Sequence, residues 1–267
     1  MKKTFAGLAL AAGLGIASAP ASAVVISNIN FATGNGAHLE TTTLAEQFIN
    51  PVTDPTGASG MGYGVVTSVD GALNYCASGD CQLYFTANFQ NATFTGPGSI
   101  SFGNVVVTLY YHAGAALNLL TADSPTNLAT IQGMTQYALL EAHGPQNASG
   151  FLTGGTLSLI GAGLLDINEA LSGNLAFAHA LNQNSVPDGL GGFADIAYTE
   201  SANNFALNPQ DVANGYANGC TEGAADTGAW CWQGTLNTRG SVLPEPTSLA
   251  LMSLGLLGFG AIRRRKA

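Results

Sequence analysis

Gln82-Leu83-Tyr84-Phe85-Thr86-Ala87-Asn88-Phe89 decides the fold class of this 267-residue chain. Leu83, Phe85, Ala87 and Phe89 fall on one side of an extended backbone, and Gln82, Tyr84, Thr86 and Asn88 on the other. That period of two is the mark of a strand with one face on a core. Asn91 to Thr95 continues the pattern across a kink. Gly96-Pro97-Gly98 then supplies a turn, and Ser99 to Tyr111 is a second stretch rich in β-branched and aromatic residues. The two together predict an antiparallel hairpin near the middle of a sheet.

Outward from this hairpin the signals are shorter. Thr156 to Leu165, Asn174 to Leu181, Gly192 to Thr199 and Trp230 to Leu236 read as further strands between Gly-, Asn- and Pro-rich loops. Thr41 to Ile49 reads as a short helix, because Leu44, Ala45 and Phe48 are spaced to share a helical face. Thr130 to Ala142 has mixed periodicity and fits either state. No fixed-period repeat and no internal boundary is visible. The expectation is a mainly β, single-domain body, an antiparallel β-sandwich or jelly-roll-like fold.

Both ends of the chain differ from this body. Lys2 and Lys3 precede an apolar run, Phe5 to Ile16, and Ala21-Ser22-Ala23 gives an A-x-A cleavage site. Residues 1–23 therefore read as a secretory signal peptide cut between Ala23 and Val24. At the other end, Pro244-Glu245-Pro246 opens an uncharged stretch from Thr247 to Ile262, closed by Arg263, Arg264, Arg265 and Lys266. As a helix that stretch is roughly 24 Å long, short of a ~30 Å hydrocarbon core, a gap that snorkelling arginines and local thinning can cover. The basic end is expected to stay in the cytoplasm with the rest of the chain outside. Residues 24–242 form the exported body and 243–267 the C-terminal device.

Removing the two ends exposes an unusual charge distribution. Six of the seven Lys and Arg residues lie in the termini. Arg239 is left against fifteen acids, giving the body a formal charge of −14. No lysine is present for Schiff-base or phosphate chemistry, and no basic patch could hold nucleic acid or an anionic lipid or polysaccharide. Carboxylates without basic partners must be solvated, hydrogen-bonded or bound to metal, and divalent cations could bridge them.

The four cysteines form two sequence-local pairs. Four cysteines allow three connectivities, and export with close spacing favours Cys76–Cys81 with Cys220–Cys231. Their spacings are not C-x-x-C, and no neighbouring cation would activate a thiol, so they read as staples.

Catalytic signatures are missing: there is no G-x-S-x-G, no H-E-x-x-H, no phosphate loop and no G-x-G-x-x-G after a strand. His38, His112, His143 and His179 share no ligand spacing and read as structural or surface residues. Asp166-Ile167-Asn168-Glu169 follows an apolar strand, with Asp188 and Asp195 in the next glycine-rich region. Asp166, Asn168 and Asp188 are the candidate calcium donors, set against the ordinary use of Asp and Asn in turns. Asp166 and Glu169 are the pair a carboxylate-dependent hydrolase would need. Trp230 and Trp232, with Tyr84, Tyr110 and Tyr111, could stack on sugars, although core packing beside a disulfide explains them as well.

The tail resembles the PEP-CTERM sorting signal of Gram-negative bacteria, which has the same three parts in order. Pro244, Glu245 and Pro246 match its name-giving motif, and Arg263, Arg264 and Arg265 match its basic end. A sortase signal would need Leu-Pro-x-Thr-Gly, and Pro246 and Ser248 break that pattern. The resemblance implies transient membrane insertion, an exosortase-type protease as partner, and release to the cell surface or extracellular matrix. Such systems accompany exopolysaccharide, biofilm and, in some members, flocculation. The resulting expectation is a non-enzymatic exported surface or matrix protein with no cofactor, calcium excepted. A glycan-binding adhesin is the alternative, and a secreted hydrolase the more distant one.

Overall fold

The computed structural model describes residues 23–31, 36–49, 59–96, 99–153, 156–220 and 228–242. The residues expected to form the signal peptide up to position 22, the expected C-terminal sorting segment from 243, and most of the acidic loop after Cys220 lie outside them. The hairpin forms as expected. β5 (Cys81–Gly96) pairs antiparallel with β6 (Ser99–Ala113), from Cys81↔Ala113 to Gly96↔Ser99. Asn91 sits at φ +56°, which places the kink where the alternation lapses.

The remaining strands are β1 (Val24–Ile26), β2 (Ile29–Phe31), β3 (Gly36–Ile49), β4 (Ser59–Val69), β7 (Thr135–Ala142), β8 (Gln146–Thr153) and β9 (Thr156–Ile167). They are followed by β10 (Val186–Pro187), β11 (Phe193–Ala194), β12 (Ile196–Asn204) and β13 (Trp230–Ser241). Three short helices interrupt them, α1 (Ser124–Gln132), α2 (Leu175–Leu181) and α3 (Pro209–Ala213). Val24, where the mature chain is expected to begin, is the first residue of β1.

The main sheet closes on itself, and this corrects the expected sandwich or jelly roll. Its order is β12-β13-β3-β4-β5-β6-β7-β9-β8, with β12 also pairing β9 and β8 also pairing β6. β7 and β8 occupy one lane. β6 meets β7 over residues 106–111 and β8 over 99–102, and β9 likewise meets both. The result is an eight-lane antiparallel barrel-like wall. Alternation with one apolar face suits the wall of a sandwich and of a barrel equally. Only the long-range β9–β12 pairing, Ile196↔Leu165 to Asn203↔Ser158, distinguishes them.

Leu83, Phe85, Ala87 and Phe89 do face the main core, with Val105, Val107 and Leu109 of β6. The β1–β2 hairpin adds Ile26, Ile29 and Phe31, and α2 adds Phe177, Ala178 and Leu181 to the same core. The opposite face of β5 is more buried than the alternation implies. Tyr84 packs with Ala45, Tyr63, Leu119, Ile131 and Trp230 in a second cluster under the 114–134 segment, and its hydroxyl accepts from Leu117 N at 2.7 Å.

Two helix–strand expectations reverse. Residues 41–49 belong to β3, not to a helix. A register shift between Thr43 and Ala45 breaks the alternation and leaves neighbours Leu44 and Ala45 in one cluster, so a bulged strand imitates helical spacing. Residues 175–181 form α2, not a strand. Asn174 caps it, accepting from Phe177 N at 3.1 Å, and Phe177, Ala178 and Leu181 lie on one helical face. The mixed stretch from Thr130 divides: α1 stops at Gly133, and β7 starts at Thr135.

Both disulfides pair as the spacing suggests, Cys76–Cys81 with Cα atoms 5.8 Å apart and Cys220–Cys231 at 5.2 Å. Among the described residues no helix is long and apolar enough to cross a membrane.

Candidate functional site

The lane shared by β7 and β8 is interrupted at His143-Gly144-Pro145. Gly144 adopts φ +75°, and Pro145 has no N–H for the ladder, so the strand breaks here and continues at Gln146. The break turns the His143 ring toward two carboxylates. Nδ1 lies 2.7 Å from Asp166 Oδ2 at the end of β9, and Nε2 lies 3.4 Å from Asp188 Oδ2 in the loop after β10. Asp188 in turn accepts from Leu190 N at 2.7 Å and Gly192 N at 2.8 Å, a turn made by glycines at positive φ.

Electrostatics follow from this geometry. The hydrogen bond from His143 to Asp166, with a smaller contribution from Asp188, raises the imidazole pKa above its ordinary value. The backbone donors of Leu190 and Gly192 hold Asp188 below the usual carboxylate range. His143 is thus favoured as a cation between two carboxylates in a body whose Arg and Lys content is Arg239 alone. An open groove of about 700 Å³ adjoins the bridge, lined by His143, Pro145, Asn147, Leu164, Leu190 and Thr199 among others.

Of the three calcium donors predicted from sequence, Asp166 and Asp188 do converge, with an imidazole between them. Asn168 does not join them. Its side chain accepts from Leu171 N at 3.1 Å and donates to Glu141 Oε2 at 3.0 Å, which is turn chemistry. Asp195 is 2% exposed and accepts from Ile167 N and Asn184 N, so it too is structural. Among the described residues no three His, Cys, Asp or Glu side chains are gathered as a metal centre.

Asp166 and Glu169 do not share partners. Glu169 accepts from Asn182 Nδ2 at 2.8 Å and faces His179 Nδ1 at 3.0 Å, and these two contacts lower its pKa. The two acids belong to separate histidine contacts and not to one acid/base couple.

The aromatic platform is not on the surface. Trp230 is 3% exposed, Trp232 6% and Tyr84 1%. A register shift between Trp230 and Trp232 sends them to different clusters, the first against Tyr63 and the second against Phe48 and the Cys220–Cys231 disulfide. Tyr111 stacks on Tyr137 with ring centroids 4.7 Å apart, and its hydroxyl accepts from Asn28.

Two polar constellations were not visible in the sequence. Asp211 of α3 is fully buried and accepts from Ser124 N at 2.7 Å and from Ser124 Oγ, at the N-terminus of α1. Tyr63 and Asn127 extend this network to Leu119 O and Ala122 O. The second is Glu46 with Glu200, hydrogen-bonded to each other inside the barrel wall. Each pair joins residues more than eighty positions apart, so no local pattern announces it.

Ser241 ends the last strand and Val242 is still buried, 3% exposed, so the barrel reaches the edge of the tail. No curated protein and no solved structure matches the chain. The family model for the PEP-CTERM protein-sorting motif matches residues 242–266, and this motif at the C-terminus marks an exported protein sorted by an exosortase.

Proposed function

We propose that the protein is a non-enzymatic component of the cell surface or extracellular polysaccharide matrix, contributing to biofilm or floc cohesion. The observation that carries this reading is the sorting motif that begins where the barrel ends, at Val242. Cutting near Pro244 would release a complete barrel carrying fourteen net negative charges and leave the basic end behind. Further support comes from the acids. Asp166, Asp188, Glu169, Asp195 and Asp211 are each engaged in hydrogen bonds within the body.

The test is mass spectrometry of the native C-terminus in cell, membrane and matrix fractions, together with deletion of the gene. A chain ending near Pro244 in the matrix, and altered aggregation with polysaccharide synthesis intact, are the expected results. Normal aggregation in the deletion strain would remove the matrix reading.

A further inference from the structure

Glu46 of β3 and Glu200 of β12 stand on either side of β13, whose Gly234 pairs with Thr43 on one flank and Ala202 on the other. The two carboxyls hydrogen-bond to each other. Glu46 is 2% exposed and Glu200 is partly buried. Glycines border them as well. A Cβ on Gly62 would strike the Glu46 side chain, and one on Gly161 would lie 3.6 Å from Glu200 Oε2. Tyr198 is the other titratable group at the pair, its phenol pushed up by burial and then by both glutamates. Arg239, the one Lys or Arg among the described residues, is exposed on β13.

Two buried oxygens on the same strands and walls add an independent observation. Thr43 and Gln146 are each 1% exposed, and Thr43 Oγ1 and Gln146 Oε1 have no hydrogen-bond partner. Thr43 precedes Glu46 by three residues on β3 and pairs with the same Gly234. The Gln146 oxygen lies over Gly163, beside the Tyr198 ring. Gly163 and Gly161 are two apart on one face of β9, so Gln146 and Glu200 look onto the same wall. A buried oxygen without a partner is costly, and a positive partner would satisfy such oxygens and a carboxyl pair together.

We propose that Glu46 and Glu200 form an internal binding site for a divalent cation of the calcium class, with Thr43 Oγ1 and Gln146 Oε1 as additional donors. The donor set is all oxygen and combines two carboxylates, one amide and one hydroxyl, which suits a hard cation with flexible geometry better than magnesium. Its carboxylates are other than those of the His143 bridge, although Gln146 donates to Gly144 O, and it does not depend on the matrix reading.

Thermal unfolding of the full-length chain, stripped with a chelator, tests the proposal. At pH 8, millimolar calcium should raise Tm by about 3–6 °C. It should persist in Asp166→Asn/Asp188→Asn and vanish in Glu46→Gln/Glu200→Gln. A wild-type protein with no rise at pH 8, or a rise that survives the double glutamine substitution, overturns the site. Should the double variant not fold, Glu200→Gln alone, which keeps a carboxyl–amide hydrogen bond, is read by the same two criteria.

Discussion

His143 holds Asp166 at 2.7 Å across the break between β7 and β8, and this contact fixes the edge of the barrel's open groove. The histidine ends one half of a strand and the aspartate lies on the neighbouring strand, so the bridge spans the point where Pro145 removes a ladder donor. Asp188 extends the bridge to the next loop.

The sign of its pH dependence is fixed by the two shifts. His143 is raised, so its contribution is complete below about pH 6.5 and is lost as pH climbs through the folded value. Asp188 is lowered, so its contribution is present above the ordinary carboxylate pKa and is lost on strong acidification. Urea midpoints of wild-type protein should fall between pH 6.5 and 8 relative to His143→Gln. The difference should be of order 1 kcal/mol or less, because the bridge is partly solvated. Parallel profiles for the two proteins would contradict this.

Asp211 has a different role. Fully buried, it caps α1 through Ser124 N and Ser124 Oγ and joins α3 to the Tyr63 network. Asp211→Ala should cost about 2–3 kcal/mol in chemical denaturation, since it strands buried donors. Asp211→Asn keeps an acceptor, and burial already pushes the carboxyl pKa up, so it should recover much of the loss.

The disulfides can be separated by substitution. Cys220 and Cys231 are 3% and 0% exposed and pack with Trp232. Cys220→Ala/Cys231→Ala should destabilise by about 2–3 kcal/mol, and the shorter Cys76–Cys81 loop by somewhat less, measured as urea unfolding free energy. Equal costs would show that packing around the sulfurs, and not loop closure, sets the value.

Close approach of strands gives another contrast. A Cβ on Gly64 would run into Thr42 O and the Phe85 ring, whereas one on Gly103 meets Asn91 Cβ at 3.4 Å. Gly64→Ala should therefore lose about 3 kcal/mol in thermal or urea unfolding. Gly103→Ala should stay within about 0.5 kcal/mol of wild type.

Local signals were enough for the hairpin. The alternation from Gln82 to Phe89 and the Gly96-Pro97-Gly98 turn specify β5 and β6 because strand faces and tight turns are properties of neighbouring residues. Residues 41–49 misled for a local reason, since a bulge alters the period from which an element is read. At the candidate site, Asp166 and Asp188 were legible, with Asn168, as candidate oxygen donors. His143 between them was not, because its position depends on where the broken strand lies against β9.

By itself the sequence determined export, the sorting motif, the anionic body, the mainly β character and the two local disulfides, all of which depend on composition or short spacings. Tertiary structure decided that the sheet closes, that Trp230 and Trp232 are buried apart, and that Glu46 meets Glu200. These outcomes rest on pairings between residues far apart in the chain, such as Thr41 with Leu236 and Ile196 with Leu165. A periodicity reports which side of a strand is apolar, but only the closed ladder says what faces it.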